Sequence, residues 1–240
     1  MSSILYYGVD SADPAPSVPA LRAAKLSFAC RYLSPPGNSK NLTAAEAMRL
    51  HRGGIAIVTV WESWGTRASE GRAAGIADAR EALALGKACG GPAGFPVFFA
   101  VDYDPAGATS RLVPYFAGAI SVLGIKRVGA YGGKAAIDMA YGMGIRHLWQ
   151  TSAWSGSPTA WHPAATLRQY SNGHTVGGVP VDLNYATAHD FGQWQYVAPP
   201  VKPTIAQRIM KSLETTGHFG PKSAAQVLAA AERGGLKPNR

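Results

Sequence analysis

Eight short apolar runs, separated by stretches with helical spacing, constrain this chain more than any other feature. They fall at 5–10, 27–33, 55–62, 96–102, 127–131, 146–150, 166–170 and 181–183. Most are continuous rows of Val, Ile, Phe and Tyr, the pattern of strands covered on both faces. Between them the sequence predicts helices. Thr43 and Glu46 have the spacing of a capping box ahead of Met48 and Leu50. The span 68–88 is Ala-rich, with Ile76 and Leu83 in helical phase, and 109–123 and 134–141 follow the same logic. The last two crossovers are short and rich in Gly, Pro and Trp, so helices there are degenerate. This alternation predicts an α/β fold, a (β/α)8 TIM-type barrel of parallel strands. An open Rossmann-like sheet would need a Gly-rich turn after its first strand. Asp10-Ser11-Ala12-Asp13-Pro14 contains no glycine.

The barrel is expected over 1–197. Ala198-Pro199-Pro200-Val201-Lys202-Pro203 reads as a stiff linker, 198–204, and 205–240 as a basic tail of two short amphipathic helices. Residues 202–240 hold seven Lys/Arg against two Asp/Glu, within a chain of net charge +9. Such a charge attracts polyanions in general and does not choose among nucleic acid, acidic membranes and anionic wall polymers. A nucleic-acid partner is not expected, because no basic helix carries interleaved base-reading residues. No apolar run reaches the length of a membrane span. Cys30 and Cys89 lack CxxC spacing and read as a buried free pair. The N-terminal ten residues show no secretory signal, so synthesis in a host cytoplasm and delivery by other machinery are expected.

Acidic residues concentrate at the ends of the runs, at Asp10, Glu62, Asp102, Asp104 and Asp182. Asp102 and Asp104 are two apart, so on one strand they share a face. Two close carboxylates do not both ionise cheaply, which leaves a proton donor near neutral pH. Glycoside cleavage needs that combination, an acid for the leaving oxygen and a carboxylate for the developing positive charge. Glu62 lies between Trp61 and Trp64, and aromatic faces stack on sugar rings. Asp10, taken alone, reads equally well as a helix cap. The six histidines show no metal-binding spacing and there is no G-x-S-x-G elbow, so neither a metal nor an organic cofactor is expected. Gly129-Ala130-Tyr131-Gly132-Gly133-Lys134 lacks the spacing of a phosphate loop and reads as a strand-to-helix turn.

Three motifs in order carry a resemblance. Arg168-Gln169-Tyr170-Ser171 with Gly178-Val179-Pro180-Val181-Asp182-Leu183-Asn184 resembles the closing W-Q-Y-S … G-x-V-D-x-N of glycoside hydrolase family 25 lysozymes. Gly8-Val9-Asp10-Ser11 resembles that family's G-x-D-x-S, and Asp102-Tyr103-Asp104 its D-x-E. More specifically, residues 4–196 resemble the related glycoside-hydrolase-like barrels of actinobacteria and their phages, in which D-Y-D replaces D-x-E. The resemblance implies a site at the strand C-termini and cleavage of the N-acetylmuramic acid–N-acetylglucosamine β-1,4 bond. It implies that Asp10 and Asp182 orient substrate and that Asp102 stabilises positive charge or assists the acetamido group. Asp104 stands where the family has its Glu acid, one methylene shorter. Three readings stay open: Glu62 takes over as acid, Asp104 works with a shifted backbone, or the site binds glycan without cutting it. Tyr131 and Gln169 are further mouth candidates, with Trp61, Trp64 and Trp149 as stacking platforms. The implied partner is the peptidoglycan glycan strand, with phage virion or tail proteins engaged through 205–240. The implied delivery is holin release or carriage on a virion.

Overall fold

The computed structural model describes residues 3–105, 107–157 and 160–194. The linker and basic tail expected over 198–240 lie outside the described residues. Eight strands close one barrel in chain order. They are β1 (Tyr6–Asp10), β2 (Phe28–Leu33), β3 (Ala56–Trp61), β4 (Val97–Val101), β5 (Val128–Gly132), β6 (His147–Thr151), β7 (Leu167–Val176) and β8 (Val179–Ala186). Helices α1 (Val18–Ala23), α2 (Ala44–Arg52), α3 (Arg72–Ala88), α4 (Leu112–Leu123) and α5 (Lys134–Gly142) follow the first five strands. No α-helix separates β6 from β7 among the described residues, in line with the short Gly/Pro/Trp-rich crossover.

One strand departs from the expected topology. β1 to β7 pair in parallel, but β8 runs antiparallel to both β7 and β1. Parallel neighbours need a crossover of about a dozen residues. Here only Gly177 and Gly178 separate the register partners Val176 and Val179. Both glycines have positive φ, 57° and 84°, as a two-residue type I′ hairpin turn requires. The signal was present in Val176-Gly177-Gly178-Val179, a Gly-Gly pair between β-branched residues. β7 and β8 also outrun their expected ranges of 166–170 and 181–183.

Strand alternation sorts the side chains. Phe28, Val58, Phe98, Trp149, Leu167 and Ala186 fill the barrel interior. Their neighbours Ala29, Ile57, Phe99 and Leu148 face outward into the helix layer. Phe191 packs on Phe28 (ring centroids 4.9 Å) and Tyr6 (5.8 Å), at the starts of β2 and β1. It therefore stoppers the barrel at the end away from the acids. Both cysteines are free and buried.

Helices α3 and α4, which follow the strands leading to Glu62 and Asp102, meet backbone to backbone. A Cβ on Gly75 would lie 2.0 Å from the Tyr115 carbonyl oxygen, and one on Gly118 2.3 Å from that of Arg72. Buried Asp78 ties the pair by accepting from Arg67 (2.7 Å) and the Tyr115 hydroxyl (2.8 Å). Gly75→Ala is expected to lower unfolding stability by about 3 kcal/mol, because backbone cannot yield as a side chain does. Urea denaturation checks it. Helix propensity alone favours alanine, so a stabilised variant would sink the argument.

Candidate active site

Asp10 ends β1, and its inward parity places it among Cys30, Ala100 and Trp149 at the top of the interior. β8 descends from the mouth, so Asp182 near its start is the register partner of Asp10. Two carboxylates therefore face each other across an antiparallel pair. Gln169 Nε2 donates to both, at 2.9 Å to Asp10 Oδ2 and 3.2 Å to Asp182 Oδ2. Asn184 Nδ2 donates to the same Asp10 oxygen at 2.6 Å. Each amide is itself oriented from below. The Tyr131 hydroxyl donates to Gln169 Oε1 (3.0 Å), and Trp149 Nε1 donates to Asn184 Oδ1 (2.8 Å). Gly173 N, on the hairpin rising above the barrel, donates to Asp182 Oδ1 at 2.8 Å.

Asp10 is 4% exposed. Burial pushes its pKa up from 3.8 to about 7, the Asn184 and Gln169 hydrogen bonds oppose that rise, and Asp182 and Glu62 add to it. An acid poised there exchanges a proton at neutral pH. Asp10 and Asp182 thus form a close carboxylate pair of their own, in addition to the acids expected at Asp102 and Asp104. Asp102 follows the last residue of β4, and Asp104 lies two residues further into the loop; both are exposed. A cleft lined by Asp10, Ser11, Tyr32 and Asp182 opens toward Gly173 and Pro180.

Glu62 follows β3, and its N–H donates to the Leu33 carbonyl at 3.0 Å, continuing the β2–β3 pairing. Its carboxylate is held by Lys40 Nζ at 2.9 Å. The same ammonium lies 5.0 Å from the Tyr32 ring centroid. Tyr32 sits between these acids, and burial, then Asp10, Glu62, Tyr131 and Asp102, push its phenol far up. Behind the mouth, fully buried Arg31 fixes the loops. It donates to the Ser11 carbonyl, to Lys40 O (3.1 Å) and to Glu46 Oε1 (2.7 Å). Glu46 also accepts from Ala15 N at 2.7 Å. Thr43 does cap α2, accepting from Glu46 N at 3.1 Å, but the Glu46 side chain serves this bolt instead of closing a capping box.

Two of the expected stacking platforms are corrected. Trp61 is 1% exposed and packs in the outer cluster, because it has the opposite parity to Glu62. Trp149 is also 1% exposed and forms the floor beneath Tyr131, with ring centroids 4.6 Å apart. Trp64 is 49% exposed in the loop beside Asp102, with Arg67 over its ring at 4.6 Å. Tyr131 and Gln169 lie beneath the mouth, in the hydrogen-bond chain that supports Asp10. Sequence reasoning missed Tyr32, Lys40 and the support role of Asn184. Tyr32 was findable, since it shares parity with Phe28 and Cys30 at the end of β2. Lys40 sits on a loop and gave no signal. Among the described residues, no group of His, Cys, Asp and Glu is arranged to hold a metal ion.

Residues 19–186 match the family described as Rv2525c-like, glycoside hydrolase-like domain. The Mycobacterium tuberculosis protein named "Putative peptidoglycan hydrolase Rv2525c" is 35% identical over 188 residues, 72% of this chain and 78% of that protein. The crystal structure of the Tat-secreted Rv2525c in complex with L-tartrate superposes with a TM-score of 0.73 at 33% identity, covering 79% of this chain and 99% of that one. A family 25 glycosyl hydrolase from Bacillus anthracis shares the fold at a TM-score of 0.54 and 15% identity, covering 79% of this chain and 92% of its own.

Proposed function

Because the chain belongs to the Rv2525c-like, glycoside hydrolase-like domain family, we propose that it is a peptidoglycan hydrolase, cutting β-1,4 bonds of wall glycan with the acids of its barrel mouth. One observation carries the reading. A buried Asp10 with a pKa near 7 is locked by two amides opposite Asp182, at the end of the barrel where Glu62 and Asp102 follow their strands. Both members of that pair line the open cleft.

In this mechanism Asp104 stands in the acid's place, and the leaving oxygen takes a proton as its bond to the anomeric carbon breaks. Asp102 faces the positive charge that develops on the sugar ring. Water then adds to the anomeric carbon and gives up the proton that replaces the one taken by the leaving oxygen, so the carboxyls of the mouth end as they began. Asp10, Asp182 and Gln169 bind sugar hydroxyls and set the field. Glu62 is matched by Lys40, which favours electrostatic support over the acid role. The shorter reach of Asp104 favours a second reading, a barrel that binds glycan without cutting it. Reducing-end release from purified peptidoglycan by the full chain separates them. Release supports the hydrolase, whereas co-sedimentation without release supports the binding barrel.

Lys40 supplies a further check. In Lys40→Met the carboxylate of Glu62 loses its counter-charge and Asp10 feels it more strongly. The inflection near pH 7 in kcat/KM is expected to move alkaline by about half a unit or more. A pH–rate profile with an unmoved inflection would remove Lys40 from the electrostatics of the site. Phage virion partners engaged through 205–240 fall on residues outside the described ones and are not part of this mechanism.

A further inference from the structure

Among the described residues, helices cover the outer wall of the barrel along most of its circumference, but none lies where β7, β8 and β1 meet. A hairpin joins β7 to β8, so no crossover helix lies over them. There the outward positions carry large rings. Tyr185 is the register partner of Tyr7 on one side and of Arg168 on the other. This makes a row across three strands, about 10 Å wide at ordinary strand spacing. Tyr170 joins it, with ring centroids 5.4 Å from Tyr185. Trp161 closes the far end, 6.2 Å from Tyr185. The Arg168 guanidinium lies between the last rings, 5.5 Å from Trp161 and 5.8 Å from Tyr185. Tyr7 is 45% exposed and Tyr170 37%. Burial, and then Tyr7 and Tyr185, push the Tyr170 phenol up, consistent with three neighbouring rings.

A contiguous exposed aromatic patch marks a binding surface. Rings with polar tips around a cation fit a ligand that offers flat C–H faces, hydroxyls and occasional carboxylates. Arg168 makes no ion pair among the described residues. Its hydrogen bonds go to the carbonyls of Ala165 (2.9 Å) and His162 (3.5 Å) and to the Tyr185 hydroxyl (3.4 Å), all neutral groups. Its charge is therefore available to an anion, on a chain whose net charge is +9. We infer that the Tyr7–Tyr185–Arg168 row, flanked by Tyr170 and Trp161, is a second glycan-binding surface, separate from the mouth, that holds the anionic glycan strand of peptidoglycan. The inference rests on the wall-glycan reading above and adds to it a surface that grips the polymer while the mouth engages one bond.

The test uses the full chain and its Tyr7→Ser/Tyr170→Ser variant, whose substitutions lie outside the mouth. Two readouts are taken: co-sedimentation with purified insoluble peptidoglycan, and hydrolysis of short soluble glycan fragments released from it. The expected result is about tenfold weaker co-sedimentation with unchanged turnover of the fragments. Unchanged co-sedimentation overturns the inference. So does a wild type that sediments as a dimer in free solution and becomes monomeric in the variant, since the face would then be covered by a second copy. The single variant Tyr7→Thr, a good strand residue, keeps the test valid if the double variant fails to fold. If wild type cuts nothing but pellets with the wall and the variant pellets less, the hydrolase reading fails and the surface stands. If wild type cuts and both pellet equally, the reverse holds.

Discussion

Full-length protein carrying Asp102→Asn is expected to release reducing ends from purified peptidoglycan at least about a thousandfold more slowly than wild type. The carboxamide matches the carboxylate in shape but cannot oppose a positive charge. Asp102 is exposed, lies one residue beyond β4, and makes no hydrogen bond through its carboxylate among the described residues. Its replacement should therefore leave the fold intact, and equal urea midpoints for the two proteins would confirm this. A loss of rate without loss of stability then belongs to the chemistry. A variant that retained most of its activity would move the charge-stabilising role away from β4, with the Asp10–Asp182 pair next in line.

The second large effect concerns stability. In the folded state Asp10 keeps its proton up to about pH 7, whereas the unfolded chain releases it near 3.8. Between those values the folded state binds more protons, so this group's contribution to stability falls as pH rises and levels off above the folded pKa. The shift corresponds to a penalty on the order of 4 kcal/mol at pH 8. Asn fits the site, because one side-chain oxygen of Asp10 already receives both amide hydrogen bonds and the carbonyl of Asn can take its place. Asp10→Asn should match wild type near pH 4 and exceed it by a few kcal/mol at pH 8, while losing activity. Urea titrations at the two pH values read the difference directly. A gap that did not change with pH would mean that Asp10 is not held against its ionisation.

The sequence revealed most of the barrel because continuous apolar runs and helical spacing are local signals, and because strand ends carry the acids. What it hid depends on long-range geometry. The reversal of β8 is encoded by two glycines, but the run at 181–183 was too short to show its direction. With the direction unknown, Asp182 could be placed at the mouth without its pairing to Asp10 being seen. Trp61 illustrates parity. It adjoins Glu62 in the chain, yet strand alternation sends the two to opposite sides of the wall, and neighbourhood in sequence misled. Lys40 and Arg31 act across loops between elements, where no periodicity exists to be read.

The reversed strand also bears on the order in which the barrel is assembled. β7 and β8 form a hairpin, a contact between near neighbours in the chain that costs little loop entropy. The seam from Tyr6 to Ala186 joins the first strand to the last, the longest loop closed by the described strands. Asp10 and Asp182 face each other across that seam. The acid pair is therefore completed only when the barrel closes, so a nascent chain has no assembled Asp10–Asp182 site until β8 has left the ribosome.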